Sequence, residues 1–322
     1  MNSSDIQATG NQAAAFLGSI AVALSLNAGA ATSSHGVVSG EGVKATVSTT
    51  RYKSIDVDGI KIFYREAGDP QRPTILLLHG FSSSSHMFRD LMPLLADNFH
   101  LVAPDYPGFG YSDAPSAEVF DPNFTNLEIV MSKFVSALGM KSFNMYMQDF
   151  GGPVGFRMAV KHPEWIKGLI VQNANAYLEG LPSQQPATQN QKTSTQVVTP
   201  EFIHYMYRTG ARDVASLNPD AWTIDIAALQ KPEAKRIQAS LIDDYQANIK
   251  LYPEWQAYMK KWQPKTLITW GRNDRGFLPA AAEAYRQDLH NVEIEYFDTG
   301  HFALEEDATG ISHAIERSFS SK

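Results

Sequence analysis

The sequence of 322 residues contains no cysteine, and this absence limits the chemistry available to the protein. Without cysteine there is no disulfide bond, no thiolate ligand for a metal and no cysteine nucleophile. Positive charge is also scarce, because 27 Lys and Arg stand against 34 Asp and Glu, for a net charge of -7. Such a balance argues against a surface that grips nucleic acid or an anionic membrane. Any catalytic site must therefore use Asp, Glu, His, Ser or Tyr.

Charged side chains are missing from the N-terminal region, since residues 6–40 contain no Asp, Glu, Lys or Arg. Residues 13–26 form an apolar run that is shorter than the roughly 20 residues a membrane helix needs. Ala28-Gly29-Ala30 follows and resembles a signal-peptidase site. The pattern predicts a signal peptide over 1–30, a linker over 31–50, and a periplasmic or secreted protein without membrane integration. A cytoplasmic protein with an Ala/Ser-rich extension is the alternative.

Strand-like and helix-like patterns alternate from residue 51 onward, which predicts a parallel sheet covered by helices on both faces. Two period-two segments flank Asp58-Gly59, a dipeptide that favours a tight hairpin. The apolar runs typical of buried strands are 74–78, 100–104, 143–147, 168–171, 266–270 and 292–297. Apolar residues at three- to four-residue spacing predict helices over 125–140 and 311–319.

The alternation stops over residues 177–262, where Gln/Ser/Thr-rich loops are followed by helical patterns dense in Tyr and Trp. This insertion predicts a helical cap over an apolar pocket. The expected organisation is therefore a core over 51–176 and 263–322, interrupted by the cap. A small apolar organic molecule is the expected substrate, and the sequence implies neither a cofactor nor an oligomeric state.

Three polar loops follow predicted strands, at the edge where open parallel sheets bind their ligands. They contain Asp149 in Gln148-Asp149-Phe150-Gly151-Gly152, Asp274 after the strand 266–270, and His301 after the strand 292–297. The first has the strand–turn–helix layout of a nucleophile elbow, with Asp in place of the usual Ser and Met147 in place of the first small residue. Nucleophile, acid and histidine in this order predict a catalytic triad, with Asp298 as the fallback acid.

These motifs, together with His79-Gly80-Phe81 and Asp105-Tyr106-Pro107-Gly108-Phe109-Gly110, resemble the α/β-hydrolase superfamily. Within it the chain is similar to the epoxide hydrolases and the haloalkane or haloacetate dehalogenases, over about residues 51–319. The resemblance implies an α/β-hydrolase fold with an inserted helical cap. It also implies an oxyanion hole made by the backbone N–H groups of Phe81 and Phe150.

An aspartate nucleophile determines the expected reaction class. A serine that attacks a saturated carbon would leave an ether, whereas a carboxylate leaves an ester that water can cleave. Asp149 therefore predicts displacement at an sp³ carbon, followed by hydrolysis in which His301 is the general base and Asp274 orients it.

The leaving group separates the two candidate substrates. An epoxide oxygen needs a hydrogen-bond or proton donor, and Tyr245 matches the position of a cap tyrosine that serves epoxide hydrolases. Tyr207 or Tyr205 is the expected partner. Haloalkane dehalogenases use an indole N–H after the nucleophile and an Asn after His-Gly, and haloacetate dehalogenases use an Arg after the nucleophile, where this chain has Phe150 and Phe81. The sequence thus favours an epoxide, with a haloalkane or haloacid dehalogenase as the alternative.

Other classes fit the sequence less well. A metal-dependent hydrolase lacks support because there is no His-Glu-x-x-His motif and the nine histidines are scattered. A serine esterase could use one of the serines at 82–85, but these lack an elbow and suit the cap of a helix at 86–95. A non-catalytic binding protein on the same fold would be free to lose a member of the Asp/Asp/His set.

Overall fold

The computed structural model describes residues 49–181, 194 and 198–320, and eight strands within these ranges form one sheet. The strands are β1 (Arg51–Val57), β2 (Ile60–Ala67), β3 (Thr74–Leu78), β4 (His100–Pro104), β5 (Phe143–Gln148), β6 (Ile166–Gln172), β7 (Lys265–Gly271) and β8 (Val292–Phe297). Their spatial order is β1-β2-β4-β3-β5-β6-β7-β8. The predicted signal peptide, and the predicted linker up to residue 48, lie outside the described residues.

The sheet is mixed at one edge and parallel elsewhere. β1 pairs antiparallel with β2, and β2 antiparallel with β4. Every other neighbouring pair is parallel. The predicted hairpin forms at Asp58 and Gly59, which have φ angles of 52° and 81°. Positive φ at both central residues gives the turn whose twist matches that of the two strands.

Both faces of the sheet are covered, as the apolar strands predict. Leu76 and Leu78 of β3 belong to one buried apolar cluster, whereas Ile75 and Leu77 belong to a second. Successive side chains of a strand point to opposite faces, so the two clusters lie on the two sides of the sheet. The predicted α/β-hydrolase architecture is therefore confirmed.

Nine α-helices lie in the described residues. They are α1 (Leu91–Leu95), α2 (Phe124–Ala137), α3 (Gly151–Lys161), α4 (Pro200–Arg208), α5 (Asp220–Ala228), α6 (Pro232–Ile249), α7 (Tyr252–Trp262), α8 (Ala280–Ala284) and α9 (Leu304–Phe319). None of the helices in this part of the chain is both long and apolar enough to cross a bilayer. The helices α4 to α7 fall between β6 and β7, in the stretch where the sequence predicts a cap.

Aromatic side chains join this helical insertion to the core. Trp255 of α7 stacks on Phe156 of α3, with ring centroids 5.2 Å apart and planes 16° apart. Trp255 is 1% exposed, so the contact is fully desolvated. Such pairs contribute roughly 0.5–1.5 kcal/mol beyond their buried area. The aromatic density of the insertion therefore serves packing against α3 as well as the pocket.

The helix expected over 86–95 is not continuous. The chain forms a 3₁₀ turn over Ser85–Phe88, capped by the Ser84 side chain, and α1 begins only at Leu91. Pro93 explains the interruption, because a proline has no N–H to bond back to the carbonyl of residue 89. Proline is tolerated in the first turn of a helix, and here it lies in the first turn of α1.

Candidate active site

Polar loops from five strands meet along one edge of the sheet. These strands are consecutive neighbours, in the order β3-β5-β6-β7-β8. All four pairings between neighbouring strands of this set are parallel, so the loops at their carboxyl ends lie side by side. The loops contribute Phe81, Asp149, Asn173, Asp274 and His301 in that order.

Asp149 stands on a sharp turn between β5 and α3. Its φ is 49°, a left-handed conformation that costs a non-glycine residue about 1–2 kcal/mol. Met147 stands where the elbow usually has a small residue, and Gly155 of α3 makes room for it. A Cβ on Gly155 would lie 2.3 Å from the Met147 sulfur. Gly80 is equally constrained, because a Cβ would lie 2.4 Å from the Asp149 Cβ. Glycine at positions 80 and 155 thus leaves room for the turn at Asp149 and for the side chain of Met147.

The two carboxylate oxygens of Asp149 have different surroundings. Oδ1 accepts hydrogen bonds from the backbone N–H groups of Phe81 and Phe150, each at 2.6 Å. Oδ2 lies 3.5 Å from Nε2 of His301. Burial raises the pKa of the Asp149 carboxyl, although His301 and the two amides oppose the rise. One oxygen is therefore fixed in a pair of N–H donors, and the other faces the imidazole.

His301 is held by Asp274 from the other side of its ring. Nδ1 of His301 lies 2.7 Å from Oδ2 of Asp274. Burial lowers the pKa of His301, but the neighbouring Asp274 and Asp149 outweigh it and the net shift is upward. Burial likewise opposes ionisation of Asp274, yet His301 and the amides of Gly276 and Phe277 hold the pKa of Asp274 below its ordinary value. The fallback acid Asp298 is exposed and bonds to Asn273 instead.

A cavity of about 280 Å³ opens onto these residues. Asp149, Asp274 and His301 form its polar side. The remaining lining comes from α4 and from the loop after β7, and comprises Phe202, Tyr205, Met206, Thr209, Arg275, Gly276 and Phe277. A mostly apolar cavity with a few convergent polar groups is typical of a small-molecule site.

Sequence comparison agrees with the geometry. A family model described as alpha/beta hydrolase fold matches residues 73–308. The chain belongs to the α/β-hydrolase family. It is 43% identical over 279 residues to the protein named Uncharacterized hydrolase YNR064C of Saccharomyces cerevisiae, covering 82% of this chain and 96% of that one. The protein is therefore a hydrolase by homology.

Two further comparisons are with a haloalkane dehalogenase and an epoxide hydrolase. A haloalkane dehalogenase of Bradyrhizobium diazoefficiens is 33% identical over 111 residues, 34% of this chain and 35% of that protein. The solved structure of the epoxide hydrolase CorEH without ligand superimposes with a TM-score of 0.68 at 18% identity, covering 84% of this chain and 99% of that one, and so shares its fold. The predicted resemblance to the dehalogenase and epoxide hydrolase branch is confirmed.

Two residues of the hydrolase site were missed in the sequence. Asn173 has a φ of 43° and its Nδ2 donates to Oδ2 of Asp274 at 2.8 Å. Gln148 places its Nε2 2.8 Å from Nε2 of His301. Gln148 is the last residue of β5 and Asn173 directly follows β6, at the same edge of the sheet as the triad candidates. Their place at strand ends was the available signal, but neither residue type is typical of a nucleophile, acid or base.

The loop that carries Phe81 is fixed by residues that do not face the cavity. His79 accepts a hydrogen bond from the Tyr106 amide at 3.1 Å, and burial lowers the pKa of His79 to about 3. Asp105 accepts from the amides of Ser85 and Tyr111. These contacts tie the loops after β3 and β4 together. The hydroxyl of Ser85, one of the serines considered for an esterase, accepts a hydrogen bond from Nε of Arg65 at 3.0 Å.

Tyr245 of α6 lies behind the cavity rather than among its lining residues. Its ring is 6.0 Å from Phe150 and 6.1 Å from Phe277, nearly parallel to both. Within the described residues its hydroxyl is buried and makes no hydrogen bond of normal length, and the same holds for Tyr252. Burial, with Tyr252 and Asp149 nearby, raises the pKa of Tyr245 well above its ordinary value. The hydroxyls of Tyr245 and Tyr252 therefore lie near each other, behind the loop that contains Asp149 and Phe150.

The two candidates for its partner differ in environment. The Tyr207 hydroxyl donates to Oδ2 of Asp225 at 2.7 Å, and its ring stacks on Phe302 at 3.9 Å. Tyr207 is 3% exposed and does not line the cavity. Tyr205 lines the cavity and is 59% exposed. Of the two, only Tyr205 presents its side chain to the cavity.

Metal binding has no evident site in the part of the chain described. No group of three or more His, Asp or Glu side chains converges there in a way that could hold an ion. The histidines at the sheet edge, His79 and His301, are each engaged by protein partners.

Proposed function

We propose that this α/β-hydrolase displaces a leaving group from a saturated carbon with Asp149 and then hydrolyses the resulting ester. The observation that carries the proposal is the asymmetry of the Asp149 carboxylate. Oδ1 takes both backbone donors at 2.6 Å, which leaves Oδ2 as the attacking oxygen. A serine in the same elbow would require a different reaction, because its ether product could not be hydrolysed.

In the first step, Oδ2 of Asp149 bonds to the substrate carbon and the carbon–oxygen or carbon–halogen bond breaks. The electron pair leaves with the departing oxygen or halide. Burial of Asp149 favours this step, because removal of water from a carboxylate raises its nucleophilic reactivity. The apolar cavity wall provides that dry environment.

In the second step, Nε2 of His301 takes a proton from water, and the water oxygen bonds to Cγ of Asp149. The negative charge then develops on Oδ1, which already lies between the Phe81 and Phe150 amides. Loss of one such donor typically slows a reaction by about 10²–10³-fold. Cleavage of the Cγ–Oδ2 bond releases the product, which receives the proton from His301 and carries Oδ2 with it.

An epoxide is the substrate that the side chains around Asp149 support best. Opening the ring leaves an alkoxide on the substrate itself, which needs a donor. The donor we propose is Tyr245, whose buried hydroxyl lies behind the rings of Phe150 and Phe277. This hydroxyl interacts with the charge of Asp149, and the alkoxide must reach beyond the cavity lining to meet it. The product would be a diol, with one oxygen derived from the epoxide and one from Asp149.

A haloalkane is the second candidate, and sequence similarity to haloalkane dehalogenases favours it. A released halide needs donors but no proton. The side chains of Phe81 and Phe150 offer none, and the Trp270 indole is occupied by the Phe277 carbonyl at 3.2 Å. The similarity therefore supports the reaction class more strongly than it supports halide release.

Isotope labelling tests the mechanism directly. After a single turnover in heavy-oxygen water, mass spectrometry of the peptide containing Asp149 should show one heavy oxygen. The product of the same turnover should be unlabelled. Label in the product and none in Asp149 would contradict the ester mechanism and favour direct attack by water.

A substrate panel tests the leaving group. Epoxides, haloalkanes and simple esters should be offered to the wild type, and diol formation from epoxides is the expected result. Halide release without epoxide turnover would select the second candidate. Turnover of esters alone would contradict both.

We also infer that residues 1–30 are an export signal, on the grounds of their apolar run and the Ala28-Gly29-Ala30 site. The mass of the N-terminal peptide from native protein tests the inference. A mature chain beginning near Ala31 is expected, and an intact Met1 would contradict it.

A further inference from the structure

The side chain of Gln148 lies against the imidazole of His301, on the nitrogen that must activate water. Gln148 is the last residue of β5 and is completely buried. Its Nε2 is 2.8 Å from Nε2 of His301, closer than Oδ2 of Asp149 at 3.5 Å. Among the described residues, Gln148 is therefore a closer polar partner of this nitrogen than Asp149 is.

The direction of this hydrogen bond follows from the other side of the ring. Nδ1 of neutral His301 carries the hydrogen that Asp274 accepts, so Nε2 presents a lone pair. Only the N–H of the Gln148 amide can pair with a lone pair. The carbonyl oxygen of Gln148 is buried without a hydrogen-bond partner among the described residues, so the amide is oriented by its N–H contact.

The charged groups around His301 act in the opposite sense. Asp274 faces the ring from the loop after β7 and Asp149 from the turn after β5, and together they raise the pKa of His301 although burial opposes them. A protonated ring cannot accept a proton from water. A neutral donor to Nε2 stabilises the unprotonated ring and so counteracts both carboxylates.

We propose that Gln148 is a positioning residue for the general base: its amide donates to Nε2 of His301 and holds that nitrogen unprotonated. This inference rests on the proposed ester mechanism. The amide competes with water for the same lone pair, so its benefit is confined to the pH range in which His301 would otherwise be protonated. At high pH, where the ring is neutral in any case, the amide gives no advantage.

Gln172 provides a matched control. It is the register partner of Gln148 on β6 and is equally buried. Its amide contacts the backbone carbonyl of His301 at 3.4 Å and the Tyr146 hydroxyl, but not the His301 ring. Gln148→Met and Gln172→Met therefore remove the same group at neighbouring positions, and only the first removes a donor from Nε2.

Two measurements on the full-length protein test the proposal. The pKa of His301 is read by NMR titration of its ring nitrogens, and the rate of ester hydrolysis is followed by single-turnover kinetics across pH. Gln148→Met should raise the pKa of His301 and the acid limb of the rate profile by about one unit, or tenfold in proton affinity. The plateau at high pH should not fall. Gln172→Met should move neither.

Gln148→Glu gives a second variant, because a carboxylate is an acceptor only and should raise the His301 pKa further than Met does. An unchanged or lower pKa in both Gln148 variants would overturn the proposal. A plateau that falls without a shift of the acid limb would also overturn it, since that result indicates a purely structural role. If the wild type forms no ester, the proposed function fails, while the titration still decides how Gln148 acts on His301.

Discussion

The sheet-edge loops and the helical insertion contribute to the same cavity in different ways. In the loops, the side chains of Asp149, Asp274 and His301 are buried and held by several partners. Oδ1 of Asp149 accepts from two amides, and Oδ2 of Asp274 contacts both His301 and Asn173. In the insertion, the contacts near the cavity are ring to ring. Tyr245 lies against Phe150 and Phe277, and its hydroxyl makes no normal hydrogen bond in the described residues.

We infer from this difference that the loops determine the type of reaction and that the insertion determines which substrate is used. A network whose members each have fixed partners defines where charge can develop, and so defines the reaction. Apolar ring contacts discriminate weakly, at about 1–3 kcal/mol per methylene of the substrate, and repack easily. The loops should therefore tolerate almost no substitution, whereas the insertion should change which substrate is used.

The largest effect is expected at Asp149, the proposed nucleophile. Asp149→Asn retains the shape and the acceptor for the two amides but removes the attacking carboxylate. Turnover should fall by at least about 10⁴-fold, measured as steady-state product formation. The thermal unfolding midpoint should stay close to that of the wild type. Substantial residual turnover would show that Asp149 does not attack the substrate. The loops would then determine the reaction type no more strongly than the insertion does.

A selective effect is expected at Tyr245. Tyr245→Phe retains the ring contacts with Phe150 and Phe277 and removes only the hydroxyl. Epoxide turnover should fall by about 10²–10³-fold, as for loss of a general acid, while any halide release should be unchanged. Tyr205→Phe is the comparison variant at the cavity wall and should lower epoxide turnover less than Tyr245→Phe does. If Tyr205→Phe lowers epoxide turnover and Tyr245→Phe does not, then Tyr205 of α4 is the donor.

Much of the loop site could be predicted because it follows local rules. A strand end, a tight turn and a helix start place Asp149 at the sheet edge, and the neighbouring strands place His301 and Asp274 beside it. Asn173 and Gln148 could not be predicted, because their importance lies in contacts with residues 101 and 153 positions away. Amides become informative only when their partners are known.

The insertion was predictable as helical but not in its details. Aromatic side chains indicated a pocket, yet packing against the core competes for the same rings, as at Trp255. Tyr207 illustrates the consequence: the sequence offers Tyr207 or Tyr205 as the second donor to the substrate, and in the structure the Tyr207 hydroxyl donates to Asp225. Rotating a helix by the angle of one residue about its axis is enough to move a tyrosine from the cavity to the packed core. No local sequence pattern specifies that rotation.

A moderate effect on stability is expected at Asp274, and its pH dependence has a definite sign. Asp274→Asn should destabilise the protein by about 2 kcal/mol at neutral pH, as for hydrogen bonds to a buried charge. The gap from the wild type should widen as pH falls and His301 becomes protonated, because the pKa of His301 is raised. It should close as pH falls below the ordinary carboxyl value of about 3.8, because the pKa of Asp274 is lowered.

Urea unfolding of both proteins from pH 8 to pH 3 measures this gap. The same series on Asp298→Asn is the control, since Asp298 is exposed and does not contact His301. A gap that stays constant across pH would mean that Asp274 contributes shape rather than charge.

The smallest effect is expected where the elbow departs from its usual pattern. Gly155→Ala adds a methyl group next to the Met147 sulfur and should cost about 1 kcal/mol, because a flexible thioether can shift but the buried site leaves it little room. Met147→Ala alone should cost more, since it leaves a cavity. The double variant should be more stable than the sum of the two losses predicts, by about 1 kcal/mol, because the added methyl group then fills part of that cavity. If the two losses of stability are simply additive, Gly155 is not the residue that makes room for Met147 next to Asp149.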